Sequence, residues 1–146
     1  MATQWTAGLT DNTALPAATL NQIGAAWESY TPTFVNLVNS SLSSKYTQIN
    51  KLIIWQIALI ASSSSSGIIT ATLPVTAASA SFAAGRNNFL MFYDASATDS
   101  YVMSTQFPTS TTARFYFANS TSPTIWVGSQ VGVSDELSGT IIYEAA

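Results

Sequence analysis

Neither histidine nor cysteine occurs among the 146 residues. Without imidazole the chain lacks the commonest general base and the usual activator of a nucleophile. Without thiols it has no disulfide framework, and with both types missing zinc and other transition-metal sites are excluded in practice. Charge is scarce as well: 8% of residues are charged, against about a quarter in an average domain. The four basic residues, Lys45, Lys51, Arg86 and Arg114, are scattered, so no electrostatic footprint for nucleic acid exists. The longest apolar run, Leu52 to Ala61 broken by Gln56, is about half a membrane span. The start, Met1-Ala2-Thr3-Gln4-Trp5, has no basic end and no apolar core of a signal peptide, so synthesis in the cytoplasm is expected. No phosphate-cradling glycine loop and no Gly-x-Ser-x-Gly elbow is present. No cofactor is expected, and the chain is not expected to be an enzyme.

What fills the space is hydroxyl and apolar side chains. Serine and threonine occupy roughly a quarter of all positions, where an average surface carries Lys and Glu. Threonine favours strands and serine favours turns. A weakly charged coat also puts little repulsion between copies, which favours association over the alternative of a secreted monomer. Seven carboxylates remain, Asp11, Glu28, Asp94, Asp99, Asp135, Glu136 and Glu144. A glycosidase needs two of them facing across a cleft. Asp94 and Asp99 flank a hairpin loop and are the candidate pair, although solvated loop charges account for them more simply. Asp135-Glu136 reads as a charged surface turn rather than a calcium site. Tyr93, Tyr101, Tyr116 and Trp126 could line a sugar-binding face; core and subunit-interface roles are the commoner use of such rings.

Three zones follow along the chain. Residues 1–12 read as an arm. From Thr13 to Ser29 a short helix is expected, with Thr13 as N-cap or Pro16 in the first turn. Leu20, Ile23 and Trp27 fall on one stripe of that helix, which is too short to stand alone and must dock on its own domain or on neighbouring subunits. Trp5, Leu20, Ile23 and Trp27 are the candidate assembly residues. The chain thus divides into an assembly segment, 1–29, and a β domain, 30–146. In the β domain the expected strands are Thr33–Val38, Tyr46–Ile49, Lys51–Ile60, Ile68–Leu73, Asn88–Asp94, Tyr101–Phe107, Ala113–Ala118, Ile125–Val127 (reaching towards Val133) and Thr140–Glu144. Lys51–Ile60 is so continuously apolar that cover on both faces is expected, with Trp55 in the core and a possible share in a trimer axis. Ser62–Gly67 reads as a hairpin loop. Eight or nine short strands with regular turns point to a mainly β fold, an antiparallel β-sandwich of jelly-roll-like form, preceded by the arm and helix.

Several stretches resemble a known family. Trp27-Glu28-Ser29-Tyr30-Thr31-Pro32-Thr33 opens the sheet region, and Lys45-Tyr46-Thr47-Gln48-Ile49-Asn50-Lys51 follows. Leu73-Pro74-Val75, the closing Ser138-Gly139-Thr140-Ile141-Ile142-Tyr143-Glu144, and the leading Leu15-Pro16-Ala17-Ala18-Thr19-Leu20-Asn21 complete the set. Together they are similar to the short β-modules of tailed-bacteriophage virion proteins, especially minor tail and tail-fibre proteins. Asn50 stands where the family often has Gly, and Asn tolerates the left-handed conformation of a tight turn. Lys45 stands where Arg is common, so a bidentate contact is lost. The resemblance implies a homotrimer located in the virion. A chain of 146 residues has no room for a fibre shaft, so it looks more like a head decoration (cement) protein bound to the major capsid protein or other virion proteins. A tail module binding a host receptor or surface glycan is the alternative. No nucleic acid and no membrane are expected as partners.

Overall fold

A computed structural model describes residues 26–64, 66–78, 88–117 and 124–146. These residues are mainly β: ten antiparallel strands form one continuous sheet that curls into a half-barrel. The strands are β1 (Glu28–Ser29), β2 (Phe34–Val35), β3 (Leu37–Ile49), β4 (Leu52–Ser64) and β5 (Thr70–Thr72), followed by β6 (Phe89–Asp94), β7 (Asp99–Thr109), β8 (Thr112–Phe117), β9 (Thr124–Ile125) and β10 (Glu136–Glu144). Their spatial order is β1-β3-β4-β10-β6-β7-β8-β5-β2, with β9 beside β8. The two ends of that order belong to one piece of chain. Glu28 and Ser29 pair with Tyr46 and Lys45 of β3, and five residues later Phe34 and Val35 pair with Ala71 and Thr70 of β5. Segment 28–35 therefore bridges the gap between the two margins of the curl. Tyr30 reinforces it, its hydroxyl lying 2.6 Å from that of Thr72.

The alternating pattern of the sequence explains which side faces in. In β4 the odd-numbered Ile53, Trp55, Ile57, Leu59 and Ala61 are all buried. Leu90 and Phe92 of β6, Met103 of β7, Phe115 of β8, and Leu137 and Ile141 of β10 meet them in one core. Trp126 fills its centre, its ring 5.4 Å from Phe92 and 5.7 Å from Phe115. Truncating a ring at such a site typically costs about 3–5 kcal/mol. The expectation that β4 is covered on both faces is corrected: Ile54 and Ile60 are half-buried and Leu52 is exposed, because the other face lies on the outside of the curl.

β3 and β4 form a hairpin of two 13-residue strands. Asn50 makes its tight turn with φ 56°, the left-handed conformation expected of it. The expected break between Thr33–Val38 and Tyr46–Ile49 is corrected, since β3 continues as one strand through Ser40, Ser41, Ser43 and Ser44, with a bulge between Val38 and Ser41. So is the serine loop, because Ser62–Ser64 belong to β4, paired with Leu37 and Val38. The reason is the same in both places. The hydroxyls of Ser40 and Ser62 donate to the carbonyls of Ile60 and Val38 on the neighbouring strand, so serine supports the sheet instead of ending it. The expected strand reaching towards Val133 is also corrected: after a bridge at Val127 the chain turns through a single 3-10 turn, Gly128–Gln130.

Gly139 is required where β10 leaves β6. A Cβ there would stand 2.9 Å from Leu90 Cα, and φ is +155°, so any side chain would push the two strands apart.

Candidate functional site

Among the described residues the two ends of the half-barrel are built differently. At the first, segment 73–78 crosses the core. Tyr143 of β10 donates its hydroxyl to the Val75 carbonyl at 2.7 Å and accepts from the Val75 N–H at 3.1 Å. Phe107 packs on the same ring at 5.3 Å between centroids. Backbone bonds from Ala77 to Ser110, from Ala78 to Glu144 and from Ala146 to Thr76 complete a plug. Burial drives the Tyr143 phenol well above its ordinary pKa, against the opposing effect of its hydrogen bond with Val75.

At the other end the chain leaves a mouth of about 450 Å³. Its floor is aromatic: Phe92 is buried, Phe117 meets it at 5.5 Å in a T-shape, and Tyr101 meets Phe117 at 5.6 Å. Of these rings Tyr101 is the exposed one, at 41%. Asp94, Thr124 and Gln130 supply polar groups around it. Asp94 makes an Asx turn, its Oδ1 accepting from the N–H groups of Ser96 and Ala97 and from the Ser96 hydroxyl. Those bonds, the Ser96 hydroxyl first, hold its carboxyl below the usual range. Gln130 Oε1 accepts from Val127 N–H at 3.0 Å, which leaves its amide NH2 as a donor.

Asp135 supports this end. The expectation of a charged surface turn is corrected for it: the side chain is 1% exposed. Its Oδ1 accepts from Ala95 N–H at 2.9 Å and its Oδ2 from Gly132 N–H at 2.7 Å. Burial of this carboxylate is tolerated because both oxygens are hydrogen-bonded, and it ties the β6–β7 hairpin to the 132–135 turn. Glu136, beside it, is exposed.

A second feature lies on the outside. Phe89, Met91 and Tyr93 face outward along β6 at 71%, 48% and 36% exposure, and Val102 pairs with Met91 across β7. Scattered exposed hydrophobics are ordinary on proteins; a contiguous row on adjacent strands marks an interaction surface.

Of the candidate assembly residues, Trp5, Leu20 and Ile23 lie outside the described residues. Trp27 is half-exposed, with the Lys45 ammonium 4.9 Å above its ring. The expected helix does not reach it. Residues 26–27 have no helical structure and Glu28–Ser29 are strand, because pairing with Tyr46 and Lys45 has already begun. The candidate aromatic face is divided: Trp126 and Tyr116 are buried, Tyr93 faces outward, and Tyr101 lines the mouth. Trp55 is fully buried and donates its Nε1–H to the Ser44 hydroxyl. Asp94 and Asp99 are direct cross-strand partners, with Asp94 engaged in its turn. Among the described residues no group of three or more carboxylates is placed to hold a metal ion. Among them, too, no helix is long and apolar enough to cross a membrane. In comparison with known proteins, no family model, no curated protein and no solved structure matches this chain.

Proposed function

We propose that this chain is a non-enzymatic structural protein of a bacteriophage particle: a trimeric capsid decoration protein that stabilises the head shell. In this reading the curled sheet serves as a jelly-roll-like sandwich projecting from the shell. The segment before it, with Trp5, Leu20, Ile23 and Trp27, grips the major capsid protein. The observation that carries the reading is the outward apolar row of Phe89, Met91, Tyr93 and Val102 on a chain with little charge to keep copies apart. Its mechanical effect would be added buried area between shell subunits, for which about 1,600 Å² is the usual size of a stable contact. Repetition over a closed shell multiplies the effect through avidity.

The test is the mass of the purified chain in solution, by light scattering across a concentration series. A trimer that Phe89→Ser dissociates without lowering Tm supports the reading. A monomer at every concentration, indifferent to Phe89→Ser, overturns it. A minor tail or tail-fibre module is the second reading, favoured by the mixed aromatic and polar lining of the mouth; it keeps the same association face but places the trimer elsewhere on the particle.

A further inference from the structure

The mouth of the half-barrel has the composition of a small-molecule site, and its groups narrow the choice of ligand. Its volume of about 450 Å³ falls within the roughly 300–1,000 Å³ of such sites, and the open ends of curled sheets are a common place for them. A rigid exposed ring at its centre, met edge-on by Phe117 and flanked by the tilted ring of Phe92, offers a flat apolar platform that loses little freedom when covered. Around the platform stand an acceptor, a donor and a group that is both. All three bonds of Asp94 go to Oδ1, so Oδ2 is free to accept. The Gln130 amide NH2 is free to donate, its orientation set by the bond from Val127. The Thr124 hydroxyl does either.

We propose that this mouth binds a neutral hexopyranose, with Tyr101 stacking on the apolar face of the sugar and Asp94, Thr124 and Gln130 bonding its hydroxyls. A pyranose ring has this division: C–H groups on one face, hydroxyls around the rim. An anionic sugar is disfavoured because the described lining contains no cation and does contain a carboxylate, which stays ionised to lower pH than usual. An ammonium ligand is disfavoured because a cation cage needs several exposed ring faces, whereas Phe92 is buried and Phe117 half-buried. The proposal is independent of the shell reading. Val102 belongs to the outward row and also borders the mouth, whereas Phe89 belongs to the row alone and Gln130 to the mouth alone, so variants at those two positions separate the readings.

The experiment is an NMR titration of the isotope-labelled full chain with glucose, galactose and N-acetylglucosamine, with sialic acid and tetramethylammonium as rival probes. At least one neutral sugar is expected to shift the amides of Tyr101, Phe117, Thr124 and Gln130 selectively. Tyr101→Ala should then weaken binding about tenfold or more, while Tyr101→Phe keeps it within about threefold. Since Tyr101→Ala loosens the packing of Phe117, the exposed Gln130→Ala and the turn-preserving Asp94→Asn provide the second check, each expected to weaken binding several-fold. Leu52→Ser, at the far end of β4, should change nothing. The proposal is overturned if no neutral sugar moves those amides at tens of millimolar, if a rival probe binds more tightly, or if Gln130→Ala and Asp94→Asn both bind as the wild type does.

Discussion

The plugged end and the open end of the half-barrel are closed by opposite chemistry. At the plug, a phenol is buried among apolar groups, and the bond it donates to the Val75 carbonyl needs it protonated. At the mouth, two carboxylates organise the backbone. Asp135 is buried and doubly bonded, while Asp94 is solvated and holds a turn. The plug is held by a phenol hydroxyl and backbone bonds, whereas at the mouth carboxylate side chains accept from the N–H groups of its turns. One sheet can do both because its strands alternate throughout, leaving the character of each end to the few residues that cap it.

Asp135→Ala is the sharpest way to break the mouth. Two backbone N–H groups lose charge-assisted partners, and such losses cost roughly 1.5–3 kcal/mol each when the donors stay dry. A destabilisation of about 3 kcal/mol or more is expected in urea unfolding. Asp135→Asn should recover part of it, since one acceptor oxygen is kept. If Asp135→Ala unfolds at the wild-type midpoint, the buried carboxylate is not what ties the two turns together.

At the plug, Tyr143→Phe removes one donor and one acceptor and leaves both polar groups of Val75 without that partner. A loss of about 1–3 kcal/mol is expected. The alkaline behaviour gives a sharper test. Burial raises the Tyr143 pKa above that of the unfolded chain, so above pH about 10 the unfolded state gives up this proton while the folded state retains it. Stability from this group is therefore full below pH about 10 and declines as pH rises beyond it. In a series of unfolding curves the wild type should lose stability faster than Tyr143→Phe in that range. Parallel curves would mean that the phenol titrates as freely in the folded protein as in the unfolded one.

Much of this frame was legible in the sequence, and the missing parts share a cause. The apolar runs Lys51–Ile60 and Asn88–Asp94 marked β4 and β6 as strands, but not their inner faces, because a run apolar on both sides has no period of two from which to choose one. Asn50 announced its turn through a local conformational preference. Serine misled in β3 and β4, since its hydroxyls bond to a neighbouring strand that no local window contains. Asp135 looked like a surface charge for the same reason: one of its two partners, Ala95, is 40 residues away. Of the mouth, the sequence offered Tyr101 as a sugar-binding ring and Asp94 as a candidate carboxylate, but with other partners. Asp94, Tyr101, Thr124 and Gln130 were each visible, but only the pairing of β8 with β9 and the turn at Gly128–Gln130 bring them to one rim.

The smallest effect distinguishes the ends in acid. Asp94 has its carboxyl pKa lowered by the bonds from Ser96 and Ala97, so the turn binds the ionised form better than the protonated one. Its contribution is present above the ordinary carboxylate range, near pH 4, and is lost as pH falls through the lower folded value. Because the group is solvated, the global stability should hardly change, and the response should be local. Amide exchange at Ser96 and Ala97, corrected for intrinsic acid rates, is expected to quicken below pH about 4, while the amides of Val75 and Ala77 at the plug stay protected. Asp94→Asn should remove the acid response and keep the turn, since its side-chain oxygen still accepts. Were the plug to open in acid before the mouth, the division of chemistry between the two ends would be wrong. Asp94 would then be ordinary surface charge, and the polar half of the proposed sugar site would lose its fixed geometry.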